Sequence, residues 1–313
     1  IKSKRIIELT SNEAGIVFRK DKTFLLDWMQ VYMEAQESAG KKDGSQIKIA
    51  MRILKDYAGE MVTLDQIDGD FCRGYITYLL TEYHPKGKDI SNYTLHNYYR
   101  ALNGALNSAV RKKKMKANPF NELEKSEKIR KPESMRSYMT IEEVQALIDT
   151  PMPHEEYEIV KCAYLFSCFC GLRISDIIKL KWKDVFVDRG QYRLAVSMKK
   201  TKEPIYLPLS PEALKWMPER GGKSSEDNVF DLPSANTIRM QLKPWAKAAG
   251  ISKRFSYHTS RHTFATMMLT LGADLYTVSK LLGHADVKMT QVYAKIINKK
   301  KDEAVNLVNG LFH

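Results

Sequence analysis

Residues 257–295 read YHTSRHTFATMMLTLGADLYTVSKLLGHADVKMTQVYAK, and no other stretch constrains the chain as tightly. His258, Arg261 and His262 fall within five residues, His284 follows Leu282 and Gly283, and Tyr293 lies nine positions past His284. A cation, two or three imidazoles and a phenol suit the attack of a tyrosine on a phosphodiester. A phenol ionises near pH 10 and is a weak nucleophile at neutral pH unless its surroundings help. The phosphate gains negative charge towards the transition state, and fixed arginine and histidine donors stabilise that charge. His258 and His262 are also spaced to share one helix face, which would suit a metal. Thr259 stands where the H-E-x-x-H pattern needs Glu, so the metalloprotease reading fails and no metal is expected.

The run HTSRHTFAT from His258, then Leu282-Gly283-His284, then Tyr293, resembles box II of the tyrosine recombinases, also called the phage integrase family. Ser260 departs from the pattern, standing where many members carry Leu, and is expected to pack rather than react. Upstream, Gly171-Leu172-Arg173-Ile174-Ser175-Asp176, followed by Leu180, Trp182 and Asp184, resembles box I of the same family. The resemblance implies that Tyr293 attacks the scissile phosphate, forming a 3′-phosphotyrosyl bond and freeing a 5′-hydroxyl. It implies that Arg173 and Arg261 hold the non-bridging oxygens, with His258 and His284 assisting proton transfer. Asp176 takes the place of the family's buttressing acid, and His262 is a supporting residue. The family also sets a lysine on a hairpin turn, where Lys200-Thr201 matches the usual pair; Lys199 and Lys202 are close rivals for that role. An ammonium there would protonate the leaving oxygen.

Hydrophobic periodicity in the first half gives four helices. Phe24, Leu25, Trp28 and Tyr32 mark one that ends near Gly40, and Ser45 is the expected cap of the second. Phe71, Tyr75, Tyr78 and Leu79 mark the third. The fourth begins near Ser91, carries Leu95, Tyr98, Leu102, Leu106 and Val110, and is expected to run through Arg111, Lys112, Lys113, Lys114 and Lys116 to Asn118-Pro119. Five cations in six residues exceed what helix capping needs, so this run is expected to touch backbone phosphates, together with Lys199 and Lys202. Asn121 to Arg136 are charged, contain Pro132, and read as an exposed linker.

In the second half Thr140-Ile-Glu-Glu143 is a capping box. A more apolar helix should cover Glu155 to Cys170 and end at Gly171. Tyr192–Ser197 and Ile205–Leu209 alternate as strands around a turn, and Pro208 fits an edge position. Pro211 to Ser234 reads as a helix and then a loop. Another helix is expected from Ser234 to Gly250, kinked or restarted at Pro244. Past Tyr293 an amphipathic helix carries Ala304, Leu307, Val308 and Leu311, which in the family often docks on a neighbouring protomer.

The expected fold is therefore mainly α with a small antiparallel β-hairpin or sheet. An arm over 1–20 precedes a helical core DNA-binding domain over 21–120. A linker over 121–137 leads to a mixed α/β catalytic domain over 138–313.

The 313 residues carry a net charge of +13, which favours a polyanionic partner, most simply double-stranded DNA. The four cysteines form no C-x-x-C pair and read as reduced thiols of a cytoplasmic protein. The longest apolar run, Ile159 to Leu172, is too short to span a membrane and is interrupted by Lys161. No signal peptide is expected, and the start at Ile1 leads us to expect a missing N-terminal piece. No carboxylate cluster suits a two-metal mechanism, and the covalent link stores the bond energy, so no cofactor is expected. The resemblance implies a recombinase acting for a mobile element, monomeric when free and tetrameric on paired sites, with accessory DNA-bending factors. A type IB topoisomerase and a DNA-binding regulator on the same fold are the alternatives, although no catalytic residue of the pattern is missing.

Overall fold

The computed structural model describes residues 22–41, 43–132, 136–197 and 204–294. The segments expected to be an arm (1–20), a turn carrying Lys199, Lys200 and Lys202, and a helix around Ala304 to Leu311 lie outside the described residues. The chain divides into two compact units, residues 1–134 and 135–313.

Among the described residues, the first unit carries four α-helices: α1 (Leu25–Ser38), α2 (Gly44–Ala58), α3 (Gly69–Thr81) and α4 (Asn92–Arg111). Leu25, Trp28, Met29 and Met33 recur at helical spacing and are buried, and the Trp28 indole donates to the Ala105 carbonyl at 2.8 Å, tying α1 to α4. Ser91 caps α4 by accepting from the Thr94 amide.

Three details depart from expectation. Ser45 lies inside the first turn of α2, and Asp43 holds the cap position without a side-chain bond. Helix α4 stops at Arg111 rather than at Asn118-Pro119. Lys113 turns to φ 59°, and the amides of Lys113 and Lys114 close back on the carbonyls of Val110 and Ala109, a left-handed stop reached before the proline. Arg111, Lys112, Lys113, Lys114 and Lys116 are exposed, mostly on this turn. The segment expected to be an exposed linker is packed as far as Ile129, because Leu123 and Ile129 are buried in the core of this unit.

In the second unit come α5 (Ile141–Asp149), α6 (Glu158–Cys170) and α7 (Ile174–Ile177), then strands β1 (Val185–Asp188), β2 (Gln191–Ser197) and β3 (Pro204–Pro208). Helices α8 (Pro211–Leu214), α9 (Ala235–Ala248), α10 (Tyr257–Thr270), α11 (Leu275–Leu281) and α12 (Lys288–Ala294) follow. The sheet is antiparallel in the order β1-β2-β3, with Leu194 facing Val185 on one side and Leu207 on the other. Pro208 sits on the edge strand β3, as its missing N–H requires. Strand β1 was not expected, since four residues are too few to show alternation.

Helix α6 is buried on most sides and forms the centre of this core. Lys161 on it is buried too, and its ammonium donates to the Thr150 carbonyl at 3.0 Å. Tyr164 packs against Trp245, Phe255 and Tyr257, so Phe255 anchors the approach to α10. Helix α9 continues through Pro244 without restarting, where a kink or a restart was expected. Trp245, next in the chain, is fully buried and donates to the Thr150 carbonyl at 3.0 Å, and this packing offsets the hydrogen bond the proline removes. The helix expected after Pro211 is only the four residues of α8. Among the described residues, no helix is long and apolar enough to cross a membrane.

Candidate active site

Helix α6 ends at Gly171 in the left-handed conformation, φ 73°. A Cβ there would lie 2.5 Å from Phe264 Cδ1 and 3.1 Å from Leu282 Cδ2, so only glycine lets the end of α6 approach α10 this closely. The Gly171 carbonyl accepts from Arg261 Nη1 at 2.7 Å, and the Leu282 carbonyl accepts from Arg261 Nη2 at 2.5 Å. Gly171 stands two residues before Arg173, and Leu282 two before His284. One guanidinium on α10 therefore fixes both segments that carry the other candidate residues. Arg261 is only 3% exposed; burial, and after it the charge of Arg173, lowers its pKa to about 10, which still leaves it a cation at neutral pH.

Arg173 precedes α7 and is held loosely. Its backbone N–H donates to Asp176 Oδ2 at 3.4 Å, and its Nη1 lies 4.0 Å from the same oxygen. Its side chain is 32% exposed, so the guanidinium keeps donors free for an anion. Asp176 also accepts from Ser175 Oγ at 3.1 Å.

His258 and His262 stand one turn apart on α10 with ring centroids 4.5 Å apart. His258 is exposed at the rim, yet desolvation, then Arg261 and Arg173, lowers its pKa below the usual histidine range. His262 is buried; burial first, then His258, Arg136 and Arg261, lowers its pKa to about 3. His284, just past Gly283, has its Nδ1 2.7 Å from Thr290 Oγ1, and burial with Arg261 and Arg173 lowers its pKa to about 4. Neutral imidazoles can each give one proton and take another. Ser260 is fully buried and donates to the Tyr257 carbonyl at 2.6 Å, so it packs as expected.

Tyr293 lies on α12 among Phe264, Ala265, Leu269, Val278 and Leu282, and is 1% exposed. Its hydroxyl is 2.6 Å from His262 Nδ1 and accepts from Arg136 Nη1 at 3.2 Å. The Arg136 guanidinium also stands 5.6 Å from the centre of the Tyr293 ring.

The structure thus brings Arg173, Asp176, His258, Arg261, His262, His284 and Tyr293 to one place. Lys200, with Lys199 and Lys202, lies outside the described residues. Arg136 and Thr290 were not anticipated. Arg136 reads as one more charge in a charged stretch, 157 residues from the tyrosine it touches, and no local pattern marks it. Among the described residues, no group of three His, Cys, Asp or Glu side chains is placed to hold a metal ion, and His262 turns its Nδ1 to Tyr293 instead.

A family model described as the Phage integrase family matches residues 137–300, and a second, the Phage integrase SAM-like domain, matches residues 24–130. A tyrosine recombinase of Pseudothermotoga lettingae is 29% identical over 242 residues, 70% of this chain and 82% of that protein. Tyrosine recombinase XerD of Vibrio vulnificus is 32% identical over 184 residues, which is 54% of this chain and 59% of the relative's length. A crystal structure of a XerH site-specific recombinase bound to a palindromic difH substrate, in its post-cleavage complex, superposes with a TM-score of 0.67. That match covers 90% of this chain and 95% of the other at 17% identity, a likeness of fold. With the first of these family models spanning more than half of its length, the chain belongs to the phage integrase family, the tyrosine recombinases.

Proposed function

We propose that this recombinase cuts and rejoins duplex DNA at specific sites through a covalent bond between Tyr293 and a 3′-phosphate, and that it serves the integration of a mobile element. The observation that carries this reading is the clamp of Arg261 on Gly171 and Leu282, which gathers the guanidiniums of Arg173 and Arg261, the imidazoles of His258, His262 and His284, and the phenol of Tyr293 around one space. Arg173 and Arg261 take the non-bridging oxygens. His258 and His284 sit beside them, and Lys200 gives a proton to the departing 5′-oxygen. The phosphodiester bond energy is kept in the phosphotyrosyl link, so rejoining needs no external energy source.

DNA as the partner is supported by the net charge of +13 and the exposed run from Arg111 to Lys116. Assembly on DNA is supported by relatives of the fold, among them a lambda integrase described as a dimer on a core site and as a tetramer on a Holliday junction. By that analogy the chain assembles into a tetramer on paired sites; a monomeric free state and the help of DNA-bending factors are further parts of the proposal that these structures do not bear on.

A nicked suicide substrate, which loses its 5′-end after cleavage, tests the assignment. Wild-type protein should form an adduct stable on a denaturing gel, and Tyr293→Phe should bind the DNA and form none. An adduct in that variant would remove Tyr293 from the role.

A further inference from the structure

We infer that Arg136 is a further catalytic residue, which orients the Tyr293 hydroxyl and stabilises the negative charge that develops on its oxygen during attack. The inference rests on Tyr293 being the nucleophile.

The hydrogen-bonding inventory at the phenol carries the argument. Arginine has five N–H donors and no acceptor, so at 3.2 Å from Arg136 Nη1 the Tyr293 oxygen can only accept. The phenol has a single proton. Its other partner is His262 Nδ1 at 2.6 Å, so the proton points there and Nδ1 is the acceptor. This fixes the neutral tautomer of His262 with its ring proton on Nε2. The assignment agrees with the burial of His262 and with the cations around it, which keep the ring unprotonated.

The phenol is thus held from two sides with its proton already aimed away from the cation. As an Oη lone pair forms the bond to phosphorus, the phenolic proton passes to His262 Nδ1. The P–O5′ electron pair leaves with the 5′-oxygen, which takes a separate proton from the general acid. The oxygen that loses its proton does so facing the Arg136 charge, the geometry in which a fixed donor favours the transition state over the ground state. A ring as hard to protonate as His262 keeps the phenol intact at rest. Burial is the main cause, and Arg136 and Arg261 add to it. A phosphodiester entering among these cations offsets part of their field, so the proton becomes easier to transfer once DNA is bound.

Arg136 also belongs to the electrostatics of the whole site, since its charge helps to lower the pKa values of His258, His262 and His284. A guanidinium that served only to brace the fold would not need to face the reacting oxygen.

The test uses the full chain on the nicked substrate under single-turnover conditions. Arg136→Gln should slow adduct formation by about 10²-fold, the loss seen when one preorganised donor is removed, and leave DNA affinity near that of the parent. Arg136→Lys, which keeps the charge without the fork, should recover part of the rate. A fluorinated tyrosine at position 293, whose phenol ionises more readily, should restore cleavage in Arg136→Gln. A substrate with a 5′-bridging sulfur, which needs no leaving-group proton, should not. Parental or faster cleavage by Arg136→Gln would overturn the inference, as would equal losses of rate and affinity or rescue by the bridging sulfur alone. Failure of the nucleophile assignment itself would show separately, as an adduct formed by Tyr293→Phe.

Discussion

The inner wall of the site and its outer rim are built differently. On the wall, Arg261, His262 and Tyr293 are buried, and Arg261 Nη1 and Nη2, His262 Nδ1 and the Tyr293 hydroxyl are engaged by Gly171, Leu282, Arg136 and one another. On the rim, Arg173 is partly exposed and tethered at 4.0 Å to Asp176, and His258 faces solvent. The wall is therefore set by folding, and in the proposed mechanism it would contribute preorganised charge with little rearrangement when the phosphate arrives. In the same proposed mechanism the rim would be left free to adjust to the DNA. Removing a wall group should damage the fold as well as the chemistry, while removing a rim group should damage the chemistry alone.

The sharpest break of this contrast compares the two arginines. Arg261→Ala and Arg173→Ala should each lower the rate of adduct formation by about 10²–10³-fold if both stabilise the same transition state. Only Arg261→Ala should also destabilise the protein, by about 1.5–3 kcal/mol, because two carbonyls lose a charged donor. Urea unfolding beside single-turnover cleavage would separate the two. Equal stability losses would erase the distinction between wall and rim.

A smaller effect should follow at Gly171. A methyl there meets the Phe264 ring at 2.5 Å and strains a positive φ, so Gly171→Ala should cost about 1–3 kcal/mol and shift the carbonyl that holds Arg261. Trimming the ring with Phe264→Leu in the same chain should recover the overpacking part and leave the backbone part. Full recovery of both stability and cleavage would mean that the left-handed turn is not required.

The histidines set a pH signature that belongs mainly to the wall. In the unfolded chain an imidazole protonates near pH 6.5, whereas in the folded protein His262 and His284 have pKa values of about 3 and about 4. Below pH 6.5 the unfolded state therefore binds more protons than the folded state. Stability is complete above that pH and falls towards pH 4, by at most about 1.4 kcal/mol per pH unit for each histidine, with less from the half-buried His284. Unfolding at pH 7 and at pH 5 should show the slope, and His262→Gln should flatten it. An unchanged slope in that variant would place the protons elsewhere.

How much of this was legible in the sequence depended on range. The box residues are close together in the chain, so their spacing announced the site. The capping box at Thr140 and the glycine stop at Gly171 are local signals as well, and both appear in the structure. Helix α4 ended early because Lys113 adopts a left-handed turn that its side chain does not advertise. Pro244 was read as a kink or a restart because the rule for proline is local, while the packing of Trp245 that carries α9 through it without a restart is not. Arg136 is the extreme case. Its meaning lies in Tyr293, 157 residues away, and only the folded chain puts them together.

The smallest effect expected, and the finest test of the rim, is at Asp176. Its Oδ2 accepts the Arg173 backbone N–H at 3.4 Å and stands 4.0 Å from the guanidinium, a long contact between partly exposed groups. Such a pair is worth about 0–1 kcal/mol. Asp176→Asn keeps an acceptor for the backbone and removes only the charge, so the start of α7 should survive. Unfolding should shift by less than about 1 kcal/mol, and cleavage should fall by less than about tenfold, the equivalent of 1.4 kcal/mol in the barrier. Arg173 would then wander more before the phosphate captures it but would still be captured. A loss as large as that of Arg173→Ala would mean that Asp176 fixes this arginine as firmly as the two carbonyls fix Arg261. Arg173 would then belong to the wall, and the adjustable part of the site would shrink to His258.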